Sequence, residues 1–167
     1  PTPGTMTFDG VKLDPMSSWK LAKFGIARTF QNLRPFHSLT VKENVLVGCR
    51  ASRRAGWFSV VLGLPSARAE EKELLALAEA ALRFVNLWHV RDVLVSALPH
   101  EQQRVVEIAR ALAMRPKLIL LDEPAAGMNP TEVERLVGIV EKMKSIGLTV
   151  LIVEHNMPFV MRIADDI

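Results

Sequence analysis

Leu118-Ile119-Leu120-Leu121-Asp122-Glu123-Pro124 decides the fold. Four apolar residues in a row, entered from Pro116 and left through two acids and a proline, are the pattern of a strand buried on both faces of a parallel sheet. Downstream, Asn129-Pro130 followed by Glu132 predicts a helix start. Val133, Leu136, Val137, Val140 and Met143 make its inward stripe, Gly147 ends it, and Leu148 to Val153 is a second apolar strand. Strand, helix and strand at this spacing form a crossover unit, so the fold class is α/β with a parallel sheet. In such sheets chemistry collects just beyond the carboxyl ends of the strands. Here those ends carry Asp122-Glu123 and Glu154-His155-Asn156, expected to meet in one crevice. Adjacent strand residues face opposite ways, so Asp122 can address a metal ion while Glu123 addresses an attacking water.

Upstream, Glu101 to Met114 reads as a helix with Val105, Ile108, Ala109 and Leu112 at i, i+3, i+4 and i+7. Glu70 to Val85 reads as another, presenting Leu74, Leu77, Ala78, Ala81, Leu82 and Val85. Between Cys49 and Pro65 the chain is irregular and basic. Thr40-Val41-Lys42-Glu43 is a capping box that opens a helix running towards Gly48. Earlier still, Met6 to Phe8 is a short strand with a turn at Asp9-Gly10. Pro15 to Phe24 is a helix closed by Gly25, and Ile26 to Phe30 a strand ending at Gln31.

Composition narrows the class. Hydrophobic residues at 49% and charged residues at 23% are those of a globular chain, and the mean hydropathy of +0.18 leans slightly towards a chain that docks on a partner. The longest uncharged run, Ala55 to Ala67, has 13 residues and is too short to span a bilayer, which needs about 18. No secretory leader is read at the start, and Pro1-Thr2-Pro3-Gly4 reads like the interior of a protein. Cys49 is the single cysteine, which excludes an internal disulfide or a cysteine metal site and suits a reduced setting. Residues 1–60 hold nine basic and three acidic side chains, against twelve and fifteen in residues 61–167, so any anionic surface would meet the first third.

Taken in order, these motifs resemble those of the ATP-binding cassette (ABC) ATPases. Leu98-Pro99-His100-Glu101-Gln102 resembles the signature, Leu118 to Glu123 the Walker B strand, Gly127-Met128-Asn129-Pro130 the D-loop, residues 151–156 the H-loop and Arg28 to Phe36 the Q-loop. The Arg-Thr-Phe-Gln segment, the Thr40 to Val45 helix start and Gln102-Gln103-Arg104 are most similar to the ATP-binding subunits of branched-chain amino-acid importers.

The resemblance implies a P-loop NTPase-like parallel sheet with an inserted helical subdomain. Residues 1–39 and 98–167 would be the core segments, the first ending in the Q-loop, and 40–97 the subdomain. It implies ATP and Mg²⁺ as cofactors. Asp122 would hold the metal shell, Glu123 would be the general base, His155 the γ-phosphate sensor, and Gln31 would touch the metal or the attacking water and couple the site to the membrane subunit. Leu98, Pro99, His100, Glu101, Gln102 and Asn129 would serve the nucleotide across a dimer. A second ATPase subunit and integral membrane permeases are the implied partners. No nucleic acid is expected, and the location would be the cytoplasmic face of the inner membrane. The apolar stretch around Trp57 and Phe58 would dock on the membrane subunits.

Two departures stand out. None of the nine glycines precedes a lysine, so the G-x-x-x-x-G-K-[ST] loop that cradles phosphates is absent, and the chain reads as an internal stretch of a longer ATPase, expected to be inactive alone. In the signature, Pro99 brings neither hydroxyl nor N–H and Glu101 brings a carboxylate towards an expected phosphate, which predicts a weakened trans site. Two other readings stay open: a soluble ATPase of this class acting on ribosomes or nucleic acid, and a non-catalytic module. The interval from Gln31 to Leu98 holds a helical subdomain but no long coiled coil, which argues against the DNA-repair members.

Overall fold

The computed structural model describes residues 4–14, 16–29, 35–51 and 65–166. Asp9 and Gly10 both take positive φ, 47° and 75°, as a two-residue type I′ turn requires. They fold β1 (Thr7–Phe8) onto an antiparallel β2 (Val11–Lys12), a returning strand too short to register as a sequence pattern. The next helix, α1 (Ser18–Lys23), starts three residues later than Pro15 and ends as expected at Gly25, whose φ of +84° only glycine adopts freely. β3 (Ile26–Arg28) follows directly. Its expected extension to Phe30, and Gln31 itself, lie outside the described residues.

The Thr40–Glu43 capping box is present: the Glu43 amide donates to Thr40 Oγ1 (3.2 Å) and the Thr40 amide to Glu43 Oε2 (2.8 Å). It opens α2 (Val41–Ala51), which continues past Gly48 because Val41, Val45 and Cys49, four residues apart, are all fully buried on one face. Cys49 and Arg50 are therefore helical, not irregular. Residues 52–64, with Trp57 and Phe58, lie outside the described residues. The following helix, α3 (Pro65–Phe84), starts five residues before Glu70, with proline at its first position, where a missing N–H is harmless. Leu74, Ala78, Ala81 and Leu82 are buried as expected, Val85 just beyond its end likewise, and Leu77 half-buried.

Short 3₁₀ turns at Trp88–Val90 and Val95–Ala97 lead to α4 (His100–Leu112). Here α2 and α4 come very close. A Cβ added at Gly48 would lie 2.3 Å from the Arg110 carbonyl oxygen, so only glycine fits. The chain then runs through β4 (Leu118–Asp122), α5 (Pro130–Ser145), β5 (Thr149–Val153) and α6 (Met157–Ile163).

β3, β4 and β5 form a parallel sheet in that order, with Ile26 opposite Leu118 and Leu118 opposite Thr149. The expected crossover unit is therefore present. Burial of β4 on both faces is not. Ile119 and Leu121 are fully buried in one apolar cluster with Ile108, Leu136, Val140, Met143 and Phe159, whereas Leu118 and Leu120 are half-buried. Leu151 and Val153 of β5 are more than half exposed. Burial thus alternates along β4 and β5, where an unbroken apolar run suggested burial on both faces, while Ile26 and Ala27 of β3 are both buried.

Candidate functional site

The strand ends meet. Register places Asp122 opposite Val153, and the Glu123 amide donates to the Val153 carbonyl at 2.8 Å, one bond beyond the ladder. There the chain leaves extended geometry: Glu123 has φ +46°. The alternation expected of Asp122 and Glu123 therefore does not operate, and the glutamate is aimed by a left-handed backbone that costs about 1–2 kcal/mol for a residue with a Cβ. The turn carries its carboxylate towards β5, where Oε1 lies 3.5 Å from His155 Nε2. This is longer than a hydrogen bond, and such contacts commonly tighten only with substrate in place. The His155 side chain is otherwise open to solvent.

Asp122 is half-buried and faces β3, where Arg28 Nη2 lies 3.0 Å from Oδ2. Among the described residues no three His, Cys, Asp or Glu side chains cluster as a metal cage. Mg²⁺ needs none, being held through one or two carboxylates with waters and substrate phosphates, and a single strand-end aspartate fits that donor set.

Two side chains that sequence reasoning left without a role fix the loop after Glu123. Arg104, one turn into α4, donates from Nη1 to the carbonyls of Glu123 (3.1 Å), Pro124 (3.0 Å) and Ala126 (2.7 Å). Glu154 accepts from the Ala125 amide through Oε1 (2.7 Å), and from the His155 and Asn156 amides through Oε2 (2.8 and 3.0 Å). The signal for Glu154 was an acid directly before the strand-end histidine. For Arg104 it was a cation in the first turns of the signature helix.

Residues 36–40 are held by Asn44, which is fully buried in α2. Its Nδ2 donates to the carbonyls of Phe36 (3.0 Å), Thr40 (3.0 Å) and Leu39 (3.3 Å), and its Oδ1 accepts from the Phe36 amide (2.8 Å). The Phe36 ring also lies 5.7 Å from the Arg110 guanidinium carbon.

Leu98 is buried, Pro99 and His100 are exposed, and Glu101 and Gln102 half-buried at the start of α4. Pro99 occupies the N-cap position in an extended conformation and makes no side-chain capping bond. The Glu101 side chain is only 10% exposed, with Oε1 3.5 Å from Arg135 Nη1 of α5. Its carboxylate is thus turned onto a neighbouring cation instead of standing free at the helix start. Asn129 caps α5: Oδ1 accepts from the Glu132 amide (3.0 Å) and Glu132 Oε2 from the Asn129 amide (2.9 Å). Asp122, Glu123 and His155 are therefore brought together, the signature residues and Asn129 sit at two helix starts, and Gln31 lies outside the described residues.

Comparison with known proteins bears on family and fold. The family model described as ABC transporter matches residues 1–126. All of the chain aligns with the high-affinity branched-chain amino acid transport ATP-binding protein BraF of Pseudomonas aeruginosa, at 38% identity over 66% of that protein. It aligns equally with LivG of Escherichia coli, of the same description, at 36% identity over 66% of its length. The chain thus spans just under two thirds of the curated relatives it matches. Among solved structures, a nucleotide-free ATP-binding cassette from an ABC transporter superposes with a TM-score of 0.81 at 31% identity, covering 98% of this chain and 64% of that one. The ADP conformation of another such cassette gives 0.78 at 32% identity, covering 95% and 61%. With sequence, motif order and fold in agreement, the chain belongs to the ABC transporter family and has the fold of that family's ATP-binding cassette.

Proposed function

We propose that this chain carries hydrolytic machinery of the ATP-binding subunit of an importer for branched-chain amino acids. The observation that carries the reading is the convergence of Asp122, Glu123 and His155 at the ends of neighbouring parallel strands. In the proposed reaction Glu123 accepts a proton from the water that attacks the γ-phosphate, and His155, 3.5 Å away, donates to the γ-phosphate and registers its departure. Asp122 would hold Mg²⁺, which when bound would offset phosphate charge. Arg28, with a 57% exposed side chain 3.0 Å from Asp122, is the cation beside that carboxylate. Gln31 touches the metal or the water.

The signature from Leu98 to Gln102 and the D-loop at Asn129 face a second ATPase subunit, and residues 40–97 form the subdomain that meets the permeases. Among the described residues no helix is long and apolar enough to cross a membrane. In this reading those partners hold the subunit at the cytoplasmic face. The relatives BraF and LivG are named for branched-chain amino acid transport, which supports the substrate class.

The test is leucine uptake by cells deleted for the gene and complemented with the full-length protein. Wild type restores uptake and Glu123→Gln does not. Restored uptake with Glu123→Gln would remove the glutamate from the mechanism, and ATP hydrolysis without leucine uptake would remove the substrate class.

A further inference from the structure

We propose that Glu154 is a positioning residue that locks the loop carrying Glu123 to the loop carrying His155, and so sets the distance between them. The inference rests on the functional reading above. The two loops come from different strands, and the geometry of the pair depends on whatever joins them beyond the last ladder bond. Glu154 spans that gap with both oxygens. Oε1 accepts from the Ala125 amide, two residues past Glu123, at 2.7 Å; Oε2 accepts from the amides of His155 and Asn156 at 2.8 and 3.0 Å. Three amides converge on one half-buried carboxylate, a stronger arrangement than bonds between neutral groups.

The requirement for two oxygens makes the role separable. Aspartate keeps the charge and reaches the amides one and two residues on, as aspartates do in turns, but lacks the methylene needed to reach Ala125. Glutamine keeps the length, yet its single carbonyl serves either Ala125 or the His155–Asn156 pair, and its NH₂ opposes the remaining N–H.

In the full-length protein, Glu154→Asp is expected to lower kcat for MgATP about 10- to 100-fold, the scale of a displacement near 1 Å at reacting groups, with KM nearly unchanged. The Ala125 amide, slow to exchange with solvent in the wild type, exchanges fast in Glu154→Asp without nucleotide. In a His155→Ala background Glu154→Asp changes kcat less than about twofold, because its effect runs through that pair. If Glu154→Asp does not fold, Glu154→Gln is expected to show the same loss of kcat and the same dependence on His155, with fast exchange at Ala125 or at the His155 and Asn156 amides, whichever the single carbonyl leaves unpaired. Wild-type kcat in the variant, unaltered exchange at Ala125 in Glu154→Asp or at all three amides in Glu154→Gln, or an undiminished loss in the His155→Ala background would each overturn the proposal. A wild-type protein that hydrolyses no ATP would instead overturn the functional reading, while the amide-exchange result would still report whether the strut exists.

Discussion

The strand-end crevice and the helical half of the molecule are held by opposite means. Around the crevice, Arg104 and Glu154 reach across 19 to 29 residues to backbone groups of the loop after β4, and Arg28 meets Asp122 from a third strand. Between α2, α3 and α4 contact is apolar and close, with Val45, Cys49, Ala78, Leu82 and Ile108 fully buried and Gly48 set against the Arg110 carbonyl. In the first region polar bonds aim side chains that have little apolar anchorage. In the second, shape complementarity supplies stability and aims nothing. Substitutions should therefore separate: the crevice loses rate while keeping its fold, and the helical half loses stability.

The largest effect that tests this contrast is Glu123→Gln in the full-length protein. Without the base kcat falls by about 10²- to 10⁴-fold, while the calorimetric Tm stays close to that of the wild type because size and backbone demand are retained. A large fall in Tm would show that the crevice also carries stability. Second is Asn44→Ala, one of the two buried polar side chains in the helical half among the described residues, with Glu107. It strands the Phe36 amide and several carbonyls, and urea unfolding should show a loss of about 2–3 kcal/mol. Third is Gly48→Ala. Alanine favours a helix by about 1 kcal/mol over glycine, yet here its methyl meets the Arg110 carbonyl at 2.3 Å. Overpacking wins, for a net loss of about 1–2 kcal/mol, and a stabilised variant would mean that the close approach is soft. Fourth is Asn129→Ala, which removes the cap of α5 and costs about 1 kcal/mol in the same assay.

The smallest effect is in acid. The Thr40 backbone amide, then its hydroxyl, hold the Glu43 carboxyl below its ordinary value. A carboxylate depressed in the folded state stabilises fully above its unfolded pKa, and that contribution is lost as pH falls through the folded one. The stability difference between wild type and Glu43→Gln should accordingly shrink as pH is lowered through the glutamate range.

Legibility followed sequence distance. The β4–α5–β5 unit was plain because its signals are local: an apolar run, Asn129 three residues before Glu132, and Gly147 at the helix end with φ +79°. Asp122, Glu123 and His155 were found because parallel strands bring their carboxyl ends together. The contacts that position them were not, since Arg28 and Asp122 stand 94 residues apart and Ala125 and Glu154 stand 29 apart, and neither pair leaves a spacing to read. Glu101 was read as intruding on a phosphate because the helix start was visible and Arg135, 34 residues away on another helix, was not. The alternating burial of β4 was hidden for a related reason, since an apolar run does not say which of its faces is covered.

The left-handed backbone at Glu123 sets two demands on one residue against each other. Its chemistry requires a long acidic side chain at a φ of +46°, where glycine would sit without penalty and asparagine with little. A lineage released from selection for activity would find its first inactivating step at this position a stabilising one, by about 1 kcal/mol. Robustness would then rise as turnover vanished, and unusual heat resistance in a homologue altered here would mark a lapsed enzyme, not an improved one.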